Sequence, residues 1–215
     1  MHPMVNIAVR AARSAGNIIA RNIDRIDRIK VEEKGRYDFV TDIDRQAEET
    51  IIDTLHRAYP HHAIIAEESG IHEQNPVEQA EYTWIIDPLD GTANFLHGFP
   101  QVGISIALQR RGKLEAAVIY DPLRQELFTA SRGNGAQLDG RRIRVTQRRG
   151  LQGSLIGTGF PFKQPNLMER YLRMFTAVAG QAEDMRRAGS AALDLAYVAA
   201  GRLDGFFELG LNAWD

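Results

Sequence analysis

The chain contains no cysteine. That excludes disulfides, thiolate nucleophiles and cysteine-ligated zinc or iron–sulfur centres, and it suits a reducing compartment. A surplus of charge is missing too. The 26 basic and 28 acidic side chains leave a formal net charge of -2, so no global field draws in nucleic acid or an anionic membrane. No apolar run approaches the ~20 residues of a membrane span. Met1-His2-Pro3-Met4-Val5-Asn6 lacks the basic stretch and apolar run of a secretion signal. A cytoplasmic protein is expected. The six histidines are scattered without zinc-like spacing, and no serine sits in a nucleophile elbow. Repeats, low-complexity tracts and linkers are absent as well.

What is present is an ordinary globular composition, 44% hydrophobic over 215 residues, enough for one large domain or two lobes sharing a core. Val5, Ala8, Val9, Ala12, Gly16, Ile19 and Ile23 recur at helical spacing and predict an amphipathic first helix. Lys30 to Phe39, charged and containing Gly35, is expected to be an exposed loop. Thr41 and Asp44 have capping-box spacing ahead of a stripe formed by Ile43, Ala47, Ile51, Leu55 and Ala58, and Pro60 ends that helix.

Short apolar runs then predict strands at Ala63 to Ala66, Thr83 to Ile86, Val102 to Leu108, Leu114 to Tyr120 and Glu126 to Ala130. Turn signals at Arg111-Gly112, Asp121-Pro122 and Asp139-Gly140 imply an antiparallel meander. Gly133-Asn134-Gly135-Ala136 is expected to be a hairpin turn. After Arg149 the rhythm changes. A strand over Ser154 to Thr158 is followed by helices over Leu167 to Ala179 and Ala191 to Ala200, the latter capped by Ser190, and by a short strand at Gly205 to Glu208. Trp84 and Phe206-Phe207 are expected in the core.

Carboxylates collect where predicted strands end. Glu67 and Glu68 follow Ala63 to Ala66, and Asp87 follows Trp84-Ile85-Ile86. In Asp87-Pro88-Leu89-Asp90-Gly91-Thr92 the proline sets a turn that can bring two carboxylates to one side and leave the Leu89 carbonyl as a further ligand. An all-oxygen set suits magnesium, and two such ions could assist an in-line phosphoryl displacement. Gly91-Thr92-Ala93-Asn94 resembles a turn entering a helix, whose free N–H groups favour a phosphate. Taken singly, Asp87 and Asp90 fit an ordinary turn, Glu67-Glu68 fit solvated charges, and Asp44 fits a helix cap. The combination points to chemistry.

Trp84-Ile85-Ile86-Asp87-Pro88-Leu89-Asp90-Gly91-Thr92-Ala93-Asn94-Phe95 resembles the first signature of the inositol monophosphatase family, and Phe206-Phe207-Glu208-Leu209-Gly210 through Trp214-Asp215 resembles the second. Asp38-Phe39-Val40-Thr41-Asp42-Ile43-Asp44 and Ala66-Glu67-Glu68-Ser69-Gly70 resemble its intervening blocks. The similarity covers essentially the whole chain and is closest to the bacterial extragenic-suppressor subgroup.

The resemblance implies a layered αβαβα sandwich, of mixed α+β and α/β character, as in fructose-1,6-bisphosphatase. It implies an N-terminal lobe over 1–149 with the main metal and phosphate site, and a C-terminal lobe over 150–215 with the substrate wall and one ligand. Glu67, Asp87, the Leu89 carbonyl, Asp90 and Asp215 would hold two Mg2+, with Glu67 helping a weaker third. Thr92 and Asp44 would orient the attacking water. The Gly91 and Thr92 amides would contact phosphate, and Gly189, Ala191 and Glu208 would face the polyol. Lithium inhibition and a homodimer follow from the same resemblance.

This sequence departs from the family at Asn212, where a larger basic or imidazole residue is common, and around Lys34, where the loop is one residue shorter than in the animal enzymes. The family also continues beyond its Trp-Asp pair, so the resemblance leads us to expect a truncated C-terminal part, with weaker metal binding and stability than a full-length relative. Two other readings stay open. One is a related sugar or nucleotide phosphatase, although no basic clamp for a second phosphate is visible near Gly189 or Glu208. The other is an interaction protein, since the suppressor subgroup is associated with ribosomal RNA antitermination and its elongation factors. The basic run Arg141 to Arg149 lacks aromatic interleaving and reads as a charged hairpin edge rather than a nucleic-acid site.

Overall fold

The structure, a computed structural model, describes residues 3–26, 31–35, 38–72 and 80–215. Helix α1 spans Pro3–Asn22 and buries Val5, Ala8, Ala12, Gly16 and Ile19 as the spacing predicts. Val9 is only half-buried, and Ala11 and Ala15 complete the stripe instead. Helix α2, Asp42–Ala58, starts with the expected capping box: Thr41 Oγ1 accepts from the amides of Ile43 and Asp44, and Asp44 accepts from the Thr41 amide. Ile43, Ala47, Ile51 and Leu55 are buried, whereas Ala58 is half-buried.

The described residues of the segment expected to be a loop form two paired strands. Strands β1, Val31–Gly35, and β2, Asp38–Thr41, pair antiparallel with Val31 opposite Thr41 and Glu32 opposite Val40. Ladder pairing uses only the backbone, so a charged sequence can still form a strand, which hides it from a polarity-based reading. The Lys34 side chain lies outside the described residues.

An eight-stranded sheet follows, built from β3 (Ala63–Ala66), β4 (Gly70–His72), β5 (Tyr82–Asp90), β6 (Gly103–Arg110), β7 (Lys113–Asp121), β8 (Glu126–Ser131), β9 (Gly135–Leu138) and β10 (Arg141–Arg142). Their order is β10-β9-β8-β7-β6-β5-β3-β4. From β5 to β10 each strand pairs antiparallel with the next, which is the predicted meander. The basic run opens on the edge strand β10, as its charge implied. Strand β5 outruns the predicted Thr83 to Ile86 because a bulge between Asp87 and Asp90 admits Pro88 without breaking the strand.

A smaller parallel sheet, ordered β12-β11-β13, joins β11 (Leu155–Thr158), β12 (Asp184–Arg186) and β13 (Gly205–Phe207). Helix α4, Met168–Ala179, and helix α5, Ala191–Ala199, flank it. The pair α1–α2 covers one face of the large sheet, α5 lies between the two sheets, and Tyr171 of α4 stacks on Phe207 beyond the small one. This gives the αβαβα layering. The main core lies under α1 and α2, where Ile19, Ile51, Leu55, Ile64, Trp84, Ile86, Ile106 and Leu108 are essentially fully buried. Each such large side chain contributes about 1.5–3 kcal/mol. Phe206 and Phe207 are half-buried rather than core, because the three-stranded sheet is too narrow to enclose them.

Candidate metal and phosphate site

Strands β3 and β5 are parallel neighbours with Ala66 opposite Ile86, so Glu67 and Asp87 leave the same end of the sheet side by side. The Glu67 amide donates to the Ile86 carbonyl at 3.2 Å. Glu48, buried on α2, fixes the turn beyond by accepting from the amides of Glu68 and Ser69, both at 2.8 Å. Asp87 Oδ1 accepts from the Leu89 amide at 3.0 Å, a local turn that the proline enforces. Across the bulge, Asp90 Oδ2 accepts from Ser190 Oγ and the Ala192 amide, both at 2.7 Å, at the start of α5.

Asp215 returns to the same place. One oxygen each from Asp87, Asp90 and Asp215 lie within 4.8 Å of one another. Burial, followed by the Glu67, Asp90 and Asp215 charges, raises Asp87 well above the ordinary carboxylate range. Burial likewise pushes Asp90 to about 7, against the opposing pull of its Ser190 and Ala192 donors. Desolvated acids that repel one another this strongly need positive charge, and an all-oxygen set fits a hard divalent cation.

Gly91 follows directly, with φ +99, and a Cβ there would meet the Gln101 and Gly189 carbonyl oxygens at 3.0 and 3.1 Å, so only glycine fits. It opens the short helix α3, Thr92–Leu96. Asn94 Nδ2 donates to the carbonyls of Gln101 (2.7 Å) and Ala188 (2.9 Å), tying this turn to the loop before α5. Thr92 Oγ1 donates to Asp44 Oδ1 at 3.0 Å, with the Leu89 carbonyl a second acceptor at 3.2 Å.

These groups surround a cleft of about 590 Å³. Glu67, Asp87, Leu89, Asp90, Gly91, Thr92, Gly189, Ala191, Glu208 and Asp215, all singled out in the sequence, line it together. Asp44 is not on its wall; it sits behind Thr92 and reaches the cleft only through that hydroxyl. The sequence reading missed Glu48, whose spacing four residues after Asp44 on one helix face was the available signal. It also missed the bond from Ser190 to Asp90, since the cap role alone accounted for the serine. Arg187 and Lys163 line the same cleft, and burial pushes the Glu208 carboxyl up to about 7 against the opposing pull of both charges. So there are cations on this wall after all. They arrive from separate loops, which no local motif announces.

Among the described residues no helix is long and apolar enough to cross a membrane. The profile of the inositol monophosphatase family matches residues 1–215. The Nus factor SuhB of Pseudomonas aeruginosa is 57% identical over 217 residues, spanning 100% of this chain and 80% of that protein. The crystal structure of the extragenic suppressor protein SuhB from Bartonella henselae superposes with a TM-score of 0.93 at 44% identity, covering 98% of this chain and 80% of that one. The inositol monophosphatase from Anabaena (Nostoc) superposes with a TM-score of 0.84 at 36% identity, covering 98% and 76%. With an acidic cluster beside a glycine-gated turn on this fold, the chain belongs to the inositol monophosphatase family.

Proposed function

We propose that the chain hydrolyses inositol monophosphate and similar polyol phosphates in the cytoplasm, with Mg2+ as its cofactor. The observation that carries this reading is the convergence of Asp87, Asp90 and Asp215 within 4.8 Å beside the Thr92 hydroxyl. Residues 1–149 would supply most of the metal and phosphate site, and 150–215 the substrate wall and Asp215.

Two Mg2+ held by Glu67, Asp87, the Leu89 carbonyl, Asp90 and Asp215 would supply charge neutralisation at the phosphoryl group and a water of lowered pKa. The remaining work falls to the chain. With its O–H donated to Asp44, Thr92 Oγ1 keeps lone pairs free to accept a hydrogen bond from the attacking water and so orient it. The amides of Gly91 and Thr92 hold a phosphate oxygen. Glu208 accepts hydrogen bonds from the polyol hydroxyls, while Gly189 and Ala191 allow close approach of the ring.

The test is phosphate release from a panel of polyol phosphates, with and without magnesium and lithium. Magnesium-dependent, lithium-sensitive release from inositol monophosphates is expected. Absence of release from every polyol phosphate would sink the proposal. A second reading, a role in transcription antitermination, is favoured by one observation: the 57%-identical relative is a Nus factor. Pull-down of transcription elongation factors by the chain tests it. Capture that persists in Asp90→Asn would show the two functions to be separable.

A further inference from the structure

Strand β11 and the residue after it carry glycine at alternate positions, Gly157 and Gly159, and residues two apart in an extended segment face the same way. A Cβ on Gly159 would fall 2.0 Å from Glu208 Oε2, so the Glu208 carboxylate occupies the space a side chain would need. A Cβ on Gly157 would meet Leu203 Cδ1 at 2.9 Å and Phe206 Cδ2 at 3.1 Å, with Asp194 Cγ next at 3.5 Å. Two carboxylates from separate elements, Asp194 of α5 and Glu208 just past β13, are thus seated along one stretch of bare backbone.

Asp194 is unusual. It is only 2% exposed, yet it lines the cleft, and no hydrogen-bond donor reaches its carboxylate among the described residues. Its oxygens open onto the cleft, so their donors come from water or from a bound ligand. Arg187 stands beside the pair, its guanidinium 5.6 Å over the Phe162 ring, and its charge favours ionisation of both acids against the burial that raises them. With that cation in place, the fitting ligand groups are neutral donors. A second phosphate would be repelled by two carboxylates.

We propose that Asp194 is a second hydroxyl acceptor beside Glu208, so that the wall selects phosphorylated polyols presenting at least two neighbouring hydroxyls. Asp194 is then a specificity-determining residue, and Gly157 and Gly159 are the floor that positions the pair. This rests on the phosphatase reading.

The experiment compares kcat/KM for inositol 1-phosphate with kcat/KM for p-nitrophenyl phosphate, whose leaving group has no further hydroxyls. In Asp194→Asn the ratio of the two should fall about tenfold. In Gly159→Ala, which displaces Glu208 and leaves Asp194 in place, it should fall comparably. Because both substrates are measured on one preparation, the ratio does not depend on the folded fraction. A ratio within about twofold of the unaltered chain in both variants overturns the inference and leaves the phosphatase reading standing. If the unaltered chain hydrolyses neither substrate with magnesium, both fall together.

Discussion

Thr92 Oγ1 lies 3.0 Å from Asp44 Oδ1, and the other oxygen of that carboxylate accepts from the Thr41 amide at 2.8 Å. One side chain therefore closes the capping box of α2 and orients a hydroxyl on the cleft wall 48 residues away. The structural reading and the chemical reading of Asp44 are both satisfied because its two oxygens divide the work.

It follows that Thr92→Val, nearly isosteric, should lower kcat by about 10²-fold or more while costing about 1–2 kcal/mol of stability from the unpaired Asp44 oxygen. Since Asp44 acts through Thr92, the double variant with Asp44→Asn should turn over no more slowly than the worse single variant. Steady-state kinetics on the four proteins decide it, and fully additive losses would exclude a shared role.

Asp90→Asn tests the cation. The amide oxygen can keep the Ser190 and Ala192 bonds, so the fold should survive, whereas one repelling charge leaves the cluster. Turnover should vanish. The unfolding temperature in a chelator should not drop, and the stabilisation that magnesium gives the unaltered chain, about 2.7 kcal/mol at a hundredfold excess over Kd, should largely disappear. A magnesium-induced shift as large as in the unaltered chain would remove Asp90 from the ligand set.

Much of this was legible in the sequence because the decisive residues are local. Asp87, Pro88, Asp90 and Gly91 lie in one continuous stretch whose turn chemistry dictates its geometry, and the Thr41–Asp44 box spans four residues. Tertiary relationships were not legible. Glu48 reaches Glu68 and Ser69 across twenty residues, Ser190 reaches Asp90 across a hundred, and Asp194 looks like any polar residue in a helix's first turn. The pairing of β1 and β2 escaped for another reason: Val31-Glu32-Glu33-Lys34-Gly35 is too charged in sequence to show an apolar alternation.

The pH dependence of stability should change sign of benefit with magnesium. Asp90 in the folded chain titrates at about 7 instead of 3.8, and Asp87 is likewise raised well above the ordinary carboxylate range. A folded state that binds more protons than the unfolded one is most stable below the ordinary carboxylate value and loses that stability as pH rises towards the folded one. In a chelator, these two acids should therefore lower the unfolding temperature between about pH 4 and 7. Magnesium competes with those protons, so the temperature increment it gives should be larger at about pH 8 than at about pH 5. Calorimetric scans at both pH values, with chelator and with magnesium, measure it. Equal increments would mean that these carboxylates do not carry the cation.

Away from the cleft, His62 stacks between Tyr59 and Tyr82, each centroid 4.7 Å away, and its Nδ1 accepts from the indole N–H of buried Trp84 at 3.1 Å. A ring whose Nδ1 accepts must be neutral, and burial accordingly lowers its pKa below 6.5, with His61 adding to the effect and Glu81 opposing it. Here the unfolded state binds more protons, so this group's stability is present above 6.5 and is lost as pH falls towards the folded value. His62→Gln can still accept from Trp84 but does not titrate. From about pH 7.5 to about pH 5 the unaltered chain should lose more stability than this variant. His62→Ala should cost about 2 kcal/mol at the higher pH, by stranding the indole N–H and removing the stack. Urea unfolding followed by tryptophan fluorescence gives both numbers. Parallel pH curves for the unaltered chain and His62→Gln would show that the imidazole is not held neutral by its neighbours.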